Sequence, residues 1–295
     1  MVRGGIANIF FAVALFGCGG RQLDARFLVT DGGSVPIESG TPAEVQAPPI
    51  VLDSGFVVDG STPTKEVAEI YAHSATKLFR IDPDTYNVTE IGVFSNCGTN
   101  DQMVDIALDE NSQMFGTTFY GVNRIDKTTA TCTPLRAGPS YPNSLSFVPK
   151  GTVDPNNEAL VGYFGSTYSR IDTQTGAITT LGVLGGGYIS SGDIVSVKGG
   201  GTYLTVKGLG CADCLVEVNP STGALVKKLG SVARTDVFGL AFWGGRVFGF
   251  SDGGDLFEIN PSTMMTTQVP LPSSLGSLSF WGAGSTTSAP VKPPQ

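Results

Sequence analysis

Side chains capable of chemistry are few in this chain, and histidine is the scarcest of them. His73 is the only imidazole in 295 residues, so a Ser-His-Asp relay would have to use it. The one Gly-x-Ser-x-Gly segment, Gly249-Phe250-Ser251-Asp252-Gly253, is typical of a hairpin with a turn-forming glycine pair and not of the sharp turn before a helix that exposes a nucleophilic serine. We therefore expect His73 to lie in a surface loop without a catalytic role, and we predict no catalytic residue.

Cys18 follows a segment with the features of a secretory signal. Arg3 is basic, and residues 6–15 form an apolar run that is too short to cross a bilayer. The segment Leu15-Phe16-Gly17-Cys18 resembles the lipobox of bacterial lipoproteins, although Phe16 departs from the usual small residue. That resemblance implies removal of residues 1–17 and acylation of Cys18, which would hold the protein stably at the bacterial cell envelope. An ordinary secretory signal is the alternative.

Gly19 bears on which membrane would hold that anchor. A glycine rather than an aspartate after the cysteine resembles outer-membrane sorting in some bacteria. The expected location is therefore the outer membrane, facing either the periplasm or the exterior.

The four other cysteines form an even set. In an oxidising compartment they allow three pairings. Cys211 and Cys214 close a tight local loop, which leaves Cys97 and Cys132 as the natural second bridge. A zinc site at the Cys-x-x-Cys segment is the alternative, and it would need further thiolate or imidazole ligands.

Charge and composition narrow the class of protein. Acidic residues outnumber basic ones by 26 to 18, and the net charge is −8, which argues against a nucleic-acid partner because phosphate binding needs clustered Lys and Arg. Forty glycines with abundant Ser and Thr indicate many turns and strands. The composition favours an all-β fold.

Both ends of the chain differ in composition from its middle. Residues 18–65 are rich in Gly, Ser, Thr and Pro, which is typical of a flexible tether. Residues 284–295 have the same character and predict a disordered tail. The folded domain is expected over residues 66–283.

A repeat fills the middle. Segments such as Leu78-Phe79-Arg80-Ile81-Asp82 recur with a closing Asp or Asn at positions 82, 126, 172, 219 and 260, in steps of 44, 46, 47 and 41 residues. Each unit reads as four short strands, and periods in the forties are typical of propeller blades. The repeated pattern Arg-Ile-Asp-Pro-x-Thr-Gly resembles that of a loose family of bacterial extracytoplasmic propellers. Members of that family include binding scaffolds, sugar-binding proteins and enzymes.

The two ends of the repeat array lack complementary strands. The first unit, residues 69–93, lacks a convincing first strand, and the last segment, residues 277–281, contains only a first strand. Pairing the C-terminal strand with the N-terminal blade explains both deficits and removes exposed edges. We predict a closed five-bladed β-propeller of four-stranded antiparallel blades; an open solenoid is the alternative.

The resemblance to propellers implies where a ligand or ion site would lie. Their first strands line the central channel, and the starts of those strands hold Asp105, Ser144, Asp193, Gly239 and Ser277. Two carboxylates and two hydroxyls would then meet at one mouth of the channel, which favours a cation, water or a polyhydroxy ligand. The alternative is that these side chains only bond nearby backbone donors.

Loops on the same face should carry His73, Asp252, Asp255 and the Cys211–Cys214 segment. Trp243 and Trp281 end the first strands of neighbouring blades in this scheme and should lie together on the opposite face. Paired indoles there could stack on a sugar or anchor a partner. Packing between blades is the alternative.

These features predict a lipid-anchored envelope protein that binds a protein or a glycan through a propeller face. No cofactor is expected, although a structural cation in the channel remains an alternative. A different class, a carbohydrate-active or other hydrolytic enzyme, would use Asp105 and Asp193 as acid and base. Burial of those carboxylates against backbone donors would argue against that class.

Overall fold

The computed structural model describes residues 68–98, 102–272 and 275–294, which all lie within one compact unit, Gly60–Gln295. The signal segment, Cys18 and the tether lie outside these residues. Twenty β-strands and no α-helix form the described part. It accordingly contains no helix that could span a membrane.

Five sheets of four antiparallel strands form the predicted five-bladed propeller. Blade 1 consists, from the channel outward, of β20 (Gly282–Ser285), β1 (Ile70–His73), β2 (Lys77–Ile81) and β3 (Val88–Val93). Blade 2 consists of β4 (Met103–Leu108), β5 (Met114–Thr118), β6 (Gly121–Asp126) and β7 (Thr131–Ala137). Blade 3 consists of β8 (Ser144–Val148), β9 (Ala159–Phe164), β10 (Thr167–Ile171) and β11 (Ile178–Val183). Blade 4 consists of β12 (Ile189–Ser196), β13 (Thr202–Gly208), β14 (Cys211–Val218) and β15 (Leu225–Ser231). Blade 5 consists of β16 (Val237–Trp243), β17 (Arg246–Ser251), β18 (Leu256–Ile259) and β19 (Thr266–Val269).

The innermost strands β4, β8, β12, β16 and β20 pack side by side around the channel, and β20 contacts β4 to close the ring. Apolar clusters fill the space between each pair of neighbouring blades. We call the end of the ring where the innermost strands begin the upper face. The end where those strands finish is the lower face.

The repeated sequence pattern is explained by one turn that every blade contains. After the third strand, the side chain of an Asp or Asn accepts hydrogen bonds from backbone N–H groups two or three residues later, which satisfies the turn locally. The acceptors are Asp82, Asp126, Asp172, Asn219 and Asn260. A residue with positive φ ends each turn. It is glycine at positions 176 and 223 and another residue in the other three blades.

The ring closes as predicted, by pairing a C-terminal strand with the N-terminal blade, but a later segment supplies that strand. β20 pairs with β1 in the register Ile70↔Ser285 and His73↔Gly282. Residues 277–281, which the sequence favoured as this strand, lie outside it. The expected disordered tail from residue 284 is also corrected, because β20 runs to Ser285 and the next two residues are buried.

Both predicted disulfides are present. Cys97 and Cys132, with Cα atoms 4.9 Å apart, join the connection after blade 1 to the outer strand of blade 2. Cys211 and Cys214 bridge within the start of β14, with Cα atoms 5.8 Å apart.

Removing the Cys97–Cys132 bridge should cost more stability than removing Cys211–Cys214. The first bridge spans 35 residues and the second spans 3, and a larger closed loop restricts the unfolded chain more. We expect the double substitution Cys97→Ser, Cys132→Ser to lower the free energy of unfolding by about 2–4 kcal/mol. Urea denaturation beside Cys211→Ser, Cys214→Ser would measure both, and equal losses would contradict the loop-length argument.

Candidate functional site

The structure brings Asp105 and Asp193 together at the upper end of the channel, as the sequence predicted. Asp105 lies on β4 and Asp193 on β12, and neither side chain is exposed to solvent. Burial, followed by the neighbouring carboxyl of Asp193, raises the pKa of Asp105 well above its usual value. Burial likewise raises the pKa of Asp193 well above its usual value. Two neighbouring carboxyls without solvent favour a proton held by the pair.

Backbone donors occupy both of these carboxyls. Asp105 accepts hydrogen bonds from Ile106 N at 2.8 Å and from Leu145 N, on the next blade, at 2.6 Å. Asp193 repeats the pattern with Ile194 N at 2.6 Å and Leu240 N at 2.7 Å. These residues therefore tie blade 2 to blade 3 and blade 4 to blade 5.

Their position removes the basis for the hydrolytic enzyme that would use them. A general acid or base must lie within hydrogen-bond reach of its substrate, and both groups are sealed inside the protein. Serines complete the ties between blades, because Ser196 N donates to Ser146 Oγ at 3.1 Å and Phe242 N donates to Ser285 Oγ at 3.0 Å. The aspartates near the upper end of the channel and the serines farther along the innermost strands together form a seam that joins the blades.

His73 is not the exposed loop residue that the sequence favoured. It ends β1 and is completely buried, because the pairing of β1 with β2 and β20 places it beside the channel. Its Nδ1 donates to Ser74 O at 2.8 Å in the tautomer that leaves Nε2 without a hydrogen. Burial lowers the pKa of His73 to about 4, so the ring is neutral at pH 7. Nε2 has no hydrogen-bond partner among the described residues.

The contact between His73 and Asp105 is neither a hydrogen bond nor an ion pair at neutral pH. Nε2 lies 3.9 Å from Asp105 Oδ1, which is beyond hydrogen-bonding distance. Burial favours the neutral form of both groups. The hydrogen bond of the His73 ring goes to the backbone oxygen of Ser74 and not to a serine hydroxyl.

Ser144 and Ser277 are the two remaining predicted channel positions. The structure places Ser144 at the channel and Ser277 away from it. Ser144 starts β8 and is buried, and its hydroxyl accepts a hydrogen bond from Tyr163 N of the same blade at 3.0 Å. Ser277 is exposed and outside any strand, because the closing strand begins five residues later. Gly282 takes that place, and a Cβ there would come within 2.3 Å of both Asp105 Oδ1 and His73 Nε2.

Asp252 and Asp255 lie in the β17–β18 hairpin on the upper face, as expected. Asp252 Oδ1 accepts a hydrogen bond from Ser279 Oγ at 2.5 Å, and Asp255 Oδ1 accepts one from Gln268 Nε2 at 3.3 Å. Asp252 thus holds the segment around Ser279 in place, and Asp255 holds the side chain of Gln268.

The predicted pairing of Trp243 with Trp281 is wrong. Trp243 ends β16 on the lower face, where its Nε1 donates to Asp84 Oδ1 at 3.2 Å. Trp281 precedes β20 on the upper face, and its backbone N donates to His73 O at 2.8 Å. The later start of the closing strand places the two indoles at opposite ends of the ring.

The C-terminal segment covers the lower end of the channel. Thr287 O accepts a hydrogen bond from Lys198 N of blade 4, and the Thr287 hydroxyl donates to Glu158 of blade 3. Thr286 Oγ1 accepts a hydrogen bond from Glu69 N, and Ala289 packs in the cluster between blades 4 and 5. The segment therefore links four of the five blades across the lower face.

An open groove of about 430 Å³ lies on the lower face between blades 2 and 3. Its walls are the β4–β5 turn, the β8–β9 connection and the turn after β10, which include Asn111, Gln113, Asn156, Glu158 and Gln174. Arg124 of β6 and Arg170 of β10 also line it. Sequence reasoning missed this groove. The available signal was the ten-residue β8–β9 connection, which is longer than its counterparts in the other blades.

Some of the charged groups that line the groove already interact with other groups of the protein. Arg170 forms an ion pair with Asp154 at 3.0 Å, and burial raises the pKa of Glu158 to about 7. The exposed amides of Asn111, Gln113 and Gln174 make no side-chain hydrogen bond within the described residues. They are available to a ligand as donors and acceptors at once.

The described residues contain no group of three or more His, Cys, Asp or Glu side chains arranged to hold a metal ion. The channel cation that the sequence left open stays an expectation. The Cys-x-x-Cys zinc alternative gives way to the Cys211–Cys214 disulfide.

No protein-family model and no curated protein matches the chain. Among solved structures, it is similar to a Bacteroides caccae protein of unknown function, with 11% identity and a TM-score of 0.44 over 74% of this chain and 98% of that one. It is also similar to an oligogalacturonate lyase in complex with manganese, with 11% identity and a TM-score of 0.37 over 68% of this chain and 61% of the lyase. Similarities this distant carry no functional argument, so the chain is identified by its own strand order, as a five-bladed β-propeller.

Proposed function

We propose that this propeller is a non-enzymatic envelope protein that binds a glycan in the lower-face groove between blades 2 and 3. The observation that carries the proposal is the set of unengaged amide side chains in that groove, next to two arginines. A polyhydroxylated ligand presents donors and acceptors along its length, and amides match both. The channel carboxylates play no part in this binding.

The walls of the groove support a fixed arrangement of these donors. Asp109 accepts hydrogen bonds from Asn111 N at 3.0 Å and from Gln113 N at 2.7 Å, which fixes the β4–β5 turn. Asp172 fixes the opposite turn through Gln174 N at 2.9 Å. Groups held in place before binding lose less conformational entropy when the ligand arrives.

A glycan array followed by titration tests this proposal. The variant Gln113→Ala, Gln174→Ala should bind the retained glycan about 5- to 150-fold more weakly, since it removes two hydrogen-bonding groups worth about 0.5–1.5 kcal/mol each. Lys227→Ala, Ser262→Ala in the groove between blades 4 and 5 is the matched control and should bind like the unaltered chain.

Two results would count against the glycan proposal. One is an array on which no glycan is retained. The other is equal binding by the Gln113, Gln174 variant and the unaltered chain. Crosslinking in envelope extract that captures a protein through this groove would instead favour the protein partner.

Membrane anchoring through Cys18 is a second part of the proposal. The lipobox-like segment Leu15–Cys18 supports it. We expect Cys18→Ser to move the protein from the membrane fraction into the soluble fraction and to abolish labelling by a fatty-acid probe. Continued labelling of the Cys18→Ser variant would show that the assignment is wrong.

A further inference from the structure

Six exposed, large apolar side chains stand on the upper face of blades 2, 3 and 4. Leu209, at the tip of the β13–β14 hairpin, is 98% exposed. The others are Phe119 and Tyr120 in the β5–β6 hairpin, Phe164 in the β9–β10 hairpin, and Val183 and Ile189 around the β11–β12 connection. We call these six residues the apolar rim.

Backbone contacts link the segments that carry the apolar rim. Gly138 N donates to Tyr120 O and Asn143 N donates to Tyr163 O, so the connection between blades 2 and 3 links the first two hairpins. Ser190 N donates to Gly165 O, which brings Ile189 beside the Phe164 hairpin. Ile189 also pairs with Lys207, two residues before Leu209.

The charge of these segments differs from that of the whole chain. Residues 118–121, 136–143, 164–167, 183–190 and 207–212 contain Arg136 and Lys207 and no Asp or Glu, although the net charge of the protein is −8. The adjacent Asp213 is buried and accepts a hydrogen bond from Ser191. Both cations are exposed. On blade 5, by contrast, the three carboxylates of Asp236, Asp252 and Asp255 outnumber the one nearby cation, Arg234, on the upper face. Cationic and apolar side chains therefore share one side of the upper face.

We propose that the apolar rim docks on an anionic lipid surface. Apolar and aromatic side chains at protruding tips can enter the boundary between headgroups and acyl chains, while Arg136 and Lys207 bind anionic headgroups. The rim is a set of separate projecting hairpins, whereas a protein hot spot needs side chains that fill a fitted pocket. A glycan would leave aliphatic groups such as Leu209 and Val183 without a matching partner.

This docking is independent of the proposed glycan binding. It uses the upper face of the ring, and the amide-lined groove lies on the lower face. A protein docked through the rim would present that groove to the side away from the lipid.

Vesicle binding by the full chain carrying Cys18→Ser tests the proposal without acylation. The unaltered rim should bind vesicles of phosphatidylglycerol and phosphatidylethanolamine and lose binding at high salt. Adding Phe119→Ser, Tyr120→Ser, Phe164→Ser and Leu209→Ser should weaken partitioning at least about tenfold. Adding Val226→Ser and Met265→Ser, which are exposed apolar residues outside the rim, should not. All chains keep residues 1–67, so a difference between them reports the rim.

Hydrogen exchange on the vesicle-bound chain supplies a second measurement. The amides of residues 118–121 and 207–212 should become protected when vesicles are added, and those around Met265 should not. Equal partitioning of the rim variant and the control would overturn the proposal, as would unprotected rim amides in vesicle-bound protein. Capture of a protein through the rim without vesicle binding would replace lipid with a protein partner.

Discussion

Ending the chain after Ala283 should prevent stable closure of the propeller. This truncation removes half of β20 and leaves Phe242 N and Glu69 N without the hydroxyl acceptors of Ser285 and Thr286. Two orphaned donors cost about 2–6 kcal/mol before any loss of packing is counted. Burial of Thr287 and Ala289 is lost as well. The sum approaches the whole net stability of an ordinary domain, about 5–15 kcal/mol.

Ending the chain after Pro290 is the matched control. It removes described residues that are exposed, and we expect it to change the free energy of unfolding by less than about 1 kcal/mol. Circular dichroism and urea denaturation of both truncated chains would measure the effects. A cooperative unfolding transition of normal midpoint in the chain ending at Ala283 would show that β20 is dispensable.

Replacing either channel aspartate should cause the largest loss of stability among single substitutions of polar residues. Asp105→Ala or Asp193→Ala leaves two buried backbone N–H groups without acceptors, at a cost of about 2–6 kcal/mol. Asp252→Ala, on an exposed hairpin, is the control and should cost less than about 1 kcal/mol. Urea denaturation at constant pH measures all three. Similar losses at Asp105 and Asp252 would contradict the role of Asp105 in joining blades.

The same pair should give the protein an unusual dependence of stability on pH. The folded state raises the pKa of both carboxyls, so it binds more protons than the unfolded state above pH of about 4. The contribution of the pair to stability therefore falls as pH rises from that value toward the folded pKa. Asp193→Asn should flatten this slope in urea denaturation between pH 5 and 8, and an unchanged slope would show that the carboxyls do not share a proton.

The titration of His73 should change the stability of the fold in the opposite direction, and at lower pH. Its folded pKa is about 4, below the usual value of about 6.5, so the unfolded state binds the additional proton between these values. Stability should therefore decrease as pH falls through this interval, by about 3 kcal/mol at full effect. His73→Gln removes the titration, and comparing its pH profile with that of the unaltered chain isolates the imidazole.

The spacing of the sequence repeat predicts only some of the residues that the structure places at the channel and in the groove. Asp105, Ser144 and Asp193 could be assigned to the channel because each directly precedes an apolar residue of an innermost strand whose repeat position is visible. Burial of His73 was not predictable, because it depends on β20, whose residues Gly-Ala-Gly-Ser have weak strand preference. The groove between blades 2 and 3 comes from loops of two different repeats, which no single repeat describes.

The sequence by itself determined the number of blades, the order of their strands, the turn in each blade and the two disulfides. The blades and their turns depend on a repeating period and on local hydrogen bonds, and the bridges follow from an even set of four cysteines, two of them three residues apart. Only the tertiary structure decided that residues 282–285 close the ring, that the channel carboxyls are sealed against backbone donors, and that the apolar rim and the polar groove lie on opposite faces. The physical reason is that burial and long-range pairing depend on which distant segments meet, and a weak strand former such as β20 becomes a strand only when β1 supplies its partners.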